Sequence, residues 1–182
     1  MLLLLLGFLS GMIPYSAIIS RLALRTDLST IGDGNPGGTN VWKAGGRGWA
    51  ILAILLDGFK AAIPVGLAYF SGQIRGWELI PVALAPLLGH VFSPLLRFHG
   101  GKGLASTFGI WLGLTLWLGP TVFGLSLFIW RKLLKSDRAS VIAGLLTLTV
   151  VLLISERNFI LPAICLLNAA LLGWSYSKTE QT

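Results

Sequence analysis

The residues with the clearest chemical potential run consecutively: Gly32-Asp33-Gly34-Asn35-Pro36-Gly37-Gly38-Thr39-Asn40, a polar, glycine-dense segment in an otherwise apolar chain. Its four glycines leave the backbone free to bend around a ligand. Converging N–H groups would form an anion-binding nest, with Asn35, Thr39 and Asn40 supplying further donors and acceptors. The expected chemistry is phosphate binding. The spacing also satisfies G-x-G-x-x-G, but that motif needs a preceding strand inside a βαβ unit, and no strand pattern lies upstream.

A second turn, His99-Gly100-Gly101-Lys102-Gly103, joins backbone donors to one cation at the expected start of a helix, where free N–H groups and the helix dipole favour anions. It is not a Walker A loop, because Leu96 replaces the first glycine and Gly103 replaces the Ser or Thr. Nucleotide hydrolysis is thereby disfavoured. The alternative reading is an interfacial turn with a snorkelling lysine. Asp57 and Lys60, three residues apart on one helix face, are expected to pair, since each alone would cost roughly 2.5–3.5 kcal/mol at the centre of a membrane span. Such a pair is either purely structural or also supports the ligand loops. Pro64 cannot bond the Lys60 carbonyl, which needs another partner. His90 is either a general acid or base or a hydrogen-bonded packing residue, and no Ser, His and Asp constellation surrounds it.

The elements that must position these groups are membrane helices. The chain of 182 residues is 54% hydrophobic and 12% charged, with a mean hydropathy of +0.80, which points to a polytopic helical membrane protein. A formal net charge of +7 then reflects positive loops on one side rather than nucleic-acid binding. Cys165 is the one cysteine and sits in an apolar run, so no disulfide is available. His90 and His99 lack metal-ligand spacing, and neither a metal nor another cofactor is expected. The N-terminus has no basic n-region or clear cleavage site, so it reads as the first span rather than a removed signal peptide.

Seven spans are expected, at about 2–22, 48–70, 77–98, two within 104–130, 139–154 and 159–174. Pro14 should kink the first, the third should be irregular, and Gly119-Pro120 should divide the run 104–130 into two short or tilted helices. Residues 131–138 read as a basic loop. The chain is expected to form one all-α membrane domain over 1–182, with polar loops at about 24–47 and 97–103. Arg21, Arg25, Lys43, Arg47, Arg97, Lys102, Arg131, Lys132, Lys135, Arg138 and Lys178 then share one side, eleven of the 14 basic residues, against Arg75 and Arg157 on the other. The positive-inside rule places the N-terminus outside, and the C-terminus and both glycine-rich turns in the cytoplasm.

Gly11-Met12-Ile13-Pro14-Tyr15-Ser16, the stretch 32–40 followed by Val41, Leu56-Asp57-Gly58-Phe59-Lys60, Leu88-Gly89-His90-Val91-Phe92-Ser93, Phe98 and Gly100-Gly101-Lys102-Gly103 occur in one order and spacing. In this the chain resembles the bacterial acyl-phosphate:glycerol-3-phosphate acyltransferases, the PlsY family, over about its first 110 residues. The resemblance implies a seven-helix enzyme of phospholipid synthesis in the cell (inner) membrane. It would move a fatty acyl group from acyl phosphate to the 1-hydroxyl of glycerol 3-phosphate, giving lysophosphatidic acid and phosphate.

On that reading Lys102, Asp33 and Lys43 are the catalytic candidates, and Gly34, Asn35, Gly37, Gly38, Thr39, Asn40, His90, Gly100, Gly101 and Gly103 bind substrate. Asp57 and Lys60 support the site. The family usually has Ser at the position of Asp33 and Arg at that of Lys43. It also has His and Asn in a C-terminal segment where this chain has Ser175-Tyr176-Ser177-Lys178. A carboxylate beside a phosphate calls for an offsetting cation, which Lys43 is expected to supply. Asp33 then becomes a candidate base for the acceptor hydroxyl. Two other readings stand beside this one: a non-catalytic or differently specific relative that keeps a phosphate or lipid site, and a small anion transporter.

Overall fold

In the computed structural model, which describes residues 1–72, 74–156 and 158–179, the first span is interrupted rather than kinked. Helix α1 (Leu2–Gly11) ends before Pro14, α2 (Tyr15–Ile19) follows, and a π turn over Ser20–Leu24 completes a stretch of 23 residues. Proline lacks the N–H that would carry the ladder through. The break leaves two carbonyls for distant side chains: Ser93 Oγ donates to Met12 O at 2.6 Å, and Lys60 Nζ donates to Ile13 O at 2.7 Å.

The short α3 (Gly38–Lys43) leads into α4 (Arg47–Phe70), which carries Asp57, Lys60 and Pro64. Ser10 Oγ, on α1, donates to the carbonyl of Lys60 at 2.8 Å, supplying the partner that Pro64 denies it. Helix α5 (Leu79–Val91) is shorter than the 77–98 expected, and a 3-10 turn over Pro94–Leu96 follows it.

The run 104–130 divides at Leu116, not at Gly119-Pro120, into α6 (Leu104–Thr115) and α7 (Leu118–Leu134). Pro120 cannot donate to the carbonyl of Leu116, so α6 cannot continue through it. Pro120 instead sits in the first turn of α7, where no N–H is needed. The expected basic loop at 131–138 is mostly helix, because α7 reaches Leu134 and α8 (Asp137–Ser155) starts after Ser136, whose Oγ accepts from Ala139 N at 3.3 Å. Helix α9 (Ile160–Thr179) runs past the expected end at residue 174. Arg157, part of the charge count above, lies outside the described residues.

With α1 and α2 taken as one unit and short α3 set aside, the described residues form seven helical units in the expected order. Five stretches, Leu2–Leu24, Arg47–Phe70, Gly76–Leu96, Asp137–Ser155 and Ile160–Thr179, are long and apolar enough to cross a bilayer, whereas α6 and α7 are shorter.

The α4 and α6 backbones meet closely: a Cβ on Gly109 would lie 2.0 Å from Gly58 O, and one on Gly113 would lie 2.8 Å from Ala62 O. Gly109-x-x-x-Gly113 thus forms a small-residue contact of the kind that packs membrane helices. Fully buried Trp111, Ile110, Phe123, Leu145, Ile164 and Leu172 fill the space among α6, α7, α8 and α9. Trp111 Nε1 donates to Asn168 Oδ1 at 3.2 Å, and Asn168 Nδ2 donates to Thr107 Oγ1 at 3.0 Å, so these buried polar groups are paired. This packing fixes the first turn of α6 against α4, α5 and α9, where the candidate residues meet.

Candidate active site

The first glycine-rich stretch is held open by Gly32 and Gly34, whose φ values of +60° and +69° suit glycine. Between them, Asp33 Oδ1 accepts from Asn40 Nδ2 at 2.7 Å and from Asn35 N at 3.3 Å. Asn40 Nδ2 also donates to Asn35 O at 2.9 Å, so this buried amide ties the two ends of the stretch together. Its Oδ1 has no hydrogen-bond partner among the described residues.

The two glycine-rich turns meet. Asn35 Oδ1 accepts from Lys102 N at 3.0 Å, and Lys102 Nζ lies 2.7 Å from Asp33 Oδ2. The cation opposite Asp33 is therefore Lys102. Lys43, proposed from sequence for that part, is exposed in the last turn of α3, with Nζ near the backbone of Gly32. Partial burial pushes the Asp33 carboxyl up, but the Lys102 ammonium, the Asn40 amide and the Asn35 N–H outweigh it and hold the pKa at about 2.

Beside this pair lies a cavity of about 210 Å³. Asn35, Gly37, Gly38 and Thr39 line one wall, Lys102 and Gly103 another, Asp57 and His90 a third, and Tyr176 closes it from α9. Gly103, with φ +89°, caps α6 and leaves the N–H groups of its first turn without helical acceptors. Lys102 and this helix start offer an anion one full charge and several aligned N–H dipoles.

Ile54, Ala105 and Phe108 border the same cavity and continue into an apolar groove of about 200 Å³ between α4 and α6, lined further by Leu55, Gly58, Phe59, Gly109, Leu112 and Pro120. On the other side of Asn35 opens a cavity of about 400 Å³ with mixed walls, Asp33, His99, Ser175 and Lys178 alternating with Val91, Phe98 and Trp174 and with Gly34 and Gly100 between them. The 210 Å³ cavity thus lies between the apolar groove, which it meets at Ile54, Ala105 and Phe108, and the 400 Å³ cavity, with which it shares Asn35.

Behind the site is a buried charged cluster. Lys60 Nζ lies 2.7 Å from Asp57 Oδ1 and 2.9 Å from His90 Nδ1, while Ser16 Oγ donates to Asp57 Oδ2 at 2.8 Å. Asp57 and Lys60 pair as expected. His90 is hydrogen-bonded in the packing, as one of its two sequence readings has it, and it also lines the cavity. Gly101 faces its ring, since a Cβ there would lie 2.4 Å from His90 Nε2.

Of the candidates, Asn35, Gly37, Gly38, Thr39, Asp57, His90, Lys102 and Gly103 line the first cavity, and Asp33, Gly34 and Gly100 line the second. Asn40, Gly101 and Lys60 stand behind the walls as braces. Tyr176 escaped sequence reasoning because the last helix was ended at residue 174; its ring lies 5.0 Å from Lys102 Nζ. Ser10, Ser16 and Ser93 also went unnoticed as partners. Ser16 and Ser93 carry no signal beyond lying in the quoted motifs.

The sequence profile of the family described as glycerol-3-phosphate acyltransferase matches residues 1–181. The chain is similar to glycerol-3-phosphate acyltransferase 1 of Thermotoga maritima, at 44% identity over 117 residues, covering 63% of this chain and 57% of that protein. That alignment therefore spans less than two thirds of the relative. It is also similar to the glycerol-3-phosphate acyltransferase of Thioalkalivibrio sulfidiphilus, at 36% identity over 175 residues, covering 93% of this chain and 83% of the relative. In three dimensions it resembles PlsY, an integral membrane glycerol 3-phosphate acyltransferase solved in a glycerol 3-phosphate form. The TM-score is 0.84 at 26% identity, covering 99% of this chain and 89% of that one. A lysophosphatidic acid form of the same enzyme gives a TM-score of 0.81. With a profile match across nearly its whole length and the same helical architecture, the chain belongs to the glycerol-3-phosphate acyltransferase family.

Proposed function

We propose that this protein transfers a fatty acyl group from acyl phosphate to the 1-hydroxyl of glycerol 3-phosphate, releasing lysophosphatidic acid and phosphate. It would do so as a single membrane domain of a bacterial inner membrane, with both glycine-rich turns in the cytoplasm. The basic residues counted above support that orientation. The observation that carries the reading is the position of Lys102: at the start of α6 it lines the 210 Å³ cavity, which opens past Ile54, Ala105 and Phe108 into the apolar groove. A substrate with a phosphate head and a fatty tail has matching surroundings there.

In the transfer, the acceptor oxygen attacks the acyl carbonyl carbon, a new ester C–O bond forms, and the C–O bond to phosphate breaks. The electron pair leaves with the phosphate. Lys102 and the N–H groups of the α6 start stabilise that departing charge, while the 32–40 stretch fixes the phosphate and excludes other orientations. With a pKa of about 2, Asp33 is a weak base, and we assign it to positioning Lys102. The acceptor's proton then passes to the phosphate, whose second ionisation near pH 6 makes it the stronger base. Tyr176, packed on Lys102, restrains that side chain from the opposite face.

The test is incubation of the purified protein in lipid bicelles with palmitoyl phosphate and glycerol 3-phosphate, followed by mass spectrometry. Lysophosphatidic acid appears if the reading holds. Phosphate binding without product would assign the chain a binding role instead, and phosphate flux across sealed liposomes without acyl transfer would make it a transporter.

A further inference from the structure

The cluster behind the cavity constrains which proton His90 carries. Lys60 Nζ has three neighbours within hydrogen-bond distance: Ile13 O at 2.7 Å, Asp57 Oδ1 at 2.7 Å and His90 Nδ1 at 2.9 Å. A carbonyl and a carboxylate only accept. An ammonium has three protons and no lone pair, so it can only donate: it donates to Ile13 O, is ion-paired with Asp57 Oδ1, and leaves His90 Nδ1 as an acceptor. The alternative needs a neutral amine accepting from Nδ1–H, beside a buried carboxylate that would then lose its counter-charge. The Asp57 and Lys60 side chains are only 4% and 1% exposed, so such a carboxylate could not fall back on water.

With Nδ1 accepting, the ring proton of neutral His90 is on Nε2. A doubly protonated ring would place Nδ1–H against the Lys60 ammonium. Asp57 Oδ1 does not rescue that form, since it lies 3.9 Å from Nδ1, beyond hydrogen-bond reach. Asp57 and Lys60 are the charged groups against the ring from α4. The α1–α2 stretch brings the Ile13 carbonyl to Lys60 and the Ser16 hydroxyl to Asp57, while the 99–103 turn lays Gly101 against the ring and puts Lys102 in the wall of the same cavity.

Nε2 is the end of the ring that faces the 99–103 turn. A Cβ on Gly101 would lie 2.4 Å from it, so glycine alone lets that turn pass over the ring. The His90 side chain is 8% exposed and lines the 210 Å³ cavity with Lys102, and Nε2 has no hydrogen-bond partner among the described residues. An N–H that no protein group accepts from, open to the cavity that Lys102 also lines, is free for an oxygen bound there.

Building on the acyl-transfer reading, we infer that His90 serves the reaction as a fixed hydrogen-bond donor, presenting Nε2–H to a phosphoryl or carbonyl oxygen in the cavity rather than acting as a general base. No lone pair of the ring remains for a substrate proton: Nε2 is protonated, and Nδ1 is occupied by Lys60. Lys60 and Asp57 are positioning residues that set the tautomer. Lys60 acts from behind the cavity wall, and Asp57 reaches that wall beside His90.

The experiment is 15N NMR of protein labelled at the histidine rings. His90 and His99 are the two rings in the chain, and His99→Gln assigns the pair. The expected result at neutral pH is a His90 ring protonated at Nε2 only, whose Nε2 resonance moves when inorganic phosphate is added and whose proton stays on that nitrogen. A proton on Nδ1, or a doubly protonated ring in the phosphate complex, overturns the inference. Activity gives a second readout. His90→Gln keeps an N–H donor of similar reach and should retain kcat within about tenfold, whereas His90→Leu should lose about 10²–10³-fold, the typical loss of one transition-state donor. Equal loss in the two variants overturns the donor role. If the wild-type chain does not transfer acyl groups at all, the acyl-transfer reading fails, while the tautomer and the phosphate response are still read directly from the spectrum.

Discussion

Asp33 Oδ2 lies 2.7 Å from Lys102 Nζ, joining two glycine-rich turns that are 69 residues apart in the chain. The carboxylate holds the very ammonium that a phosphate would use. Asp33 therefore both positions Lys102 and competes with the substrate for it.

Asp33→Asn should separate these effects. The amide oxygen can still accept from Asn40, but the competing charge is gone. A partly exposed ion pair is worth about 0.2–1 kcal/mol, so KM for the phosphate-bearing substrate should fall by up to about fivefold with kcat little changed. Steady-state kinetics would check this, and a higher KM in the variant would show that the carboxylate aids binding.

The same pair fixes a titration. Asp33 has its pKa lowered from 3.8 to about 2, so its contribution to folding is fully present above pH 3.8 and is lost as pH falls through about 2. A 13C-labelled Asp33 carboxyl should titrate near 2 in the wild type and higher in Lys102→Met. A wild-type midpoint at or above 3.8 would mean that the pair does not form in solution.

Ser10 and Pro64 should be coupled, because Ser10 Oγ bonds the Lys60 carbonyl that Pro64 leaves free. Ser10→Ala should cost about 0.6 kcal/mol, the usual size of a hydrogen bond between membrane helices, and less in a Pro64→Ala background, where the helix itself bonds that carbonyl. Unfolding in mixed micelles around a double-mutant cycle measures the coupling. Strict additivity would refute it.

The apolar groove should set acyl-chain preference. A Cβ on Gly58 would lie 3.6 Å from Ala105 O, an ordinary contact, so Gly58→Ala narrows the groove without a backbone clash. The ratio of kcat/KM for a 16-carbon donor to that for an 8-carbon donor should fall by about tenfold or more. An unchanged ratio would place the tail elsewhere.

The sequence was most informative where one residue constrains its own neighbourhood. Asp57 and Lys60 had to pair at helical spacing, and Pro64 had to leave a carbonyl free; both features are present. The identity of that carbonyl's partner was not legible, since Ser10 lies on another helix 50 residues away. The cation for Asp33 was misassigned for the same reason, because nearness in sequence favours Lys43 whereas nearness in space favours Lys102. Tyr176 was hidden by a boundary: the polar residues after Trp174 read as a tail, yet the helix continues to Thr179 and turns that ring towards Lys102. The division of 104–130 was foreseen but placed at the proline itself, while the physical break falls four residues earlier, at the carbonyl Pro120 cannot bond.

Lys102 lines the one cavity that opens into the apolar groove among those described around the glycine-rich turns. The direct measurement is the initial rate of lysophosphatidic acid and phosphate formation from palmitoyl phosphate and glycerol 3-phosphate, compared between the wild type and Lys102→Met with folding checked by circular dichroism. The predicted result is equal molar amounts of the two products from the wild type and a rate lower by about 10²-fold or more in the variant. Equal rates in the two proteins would contradict it.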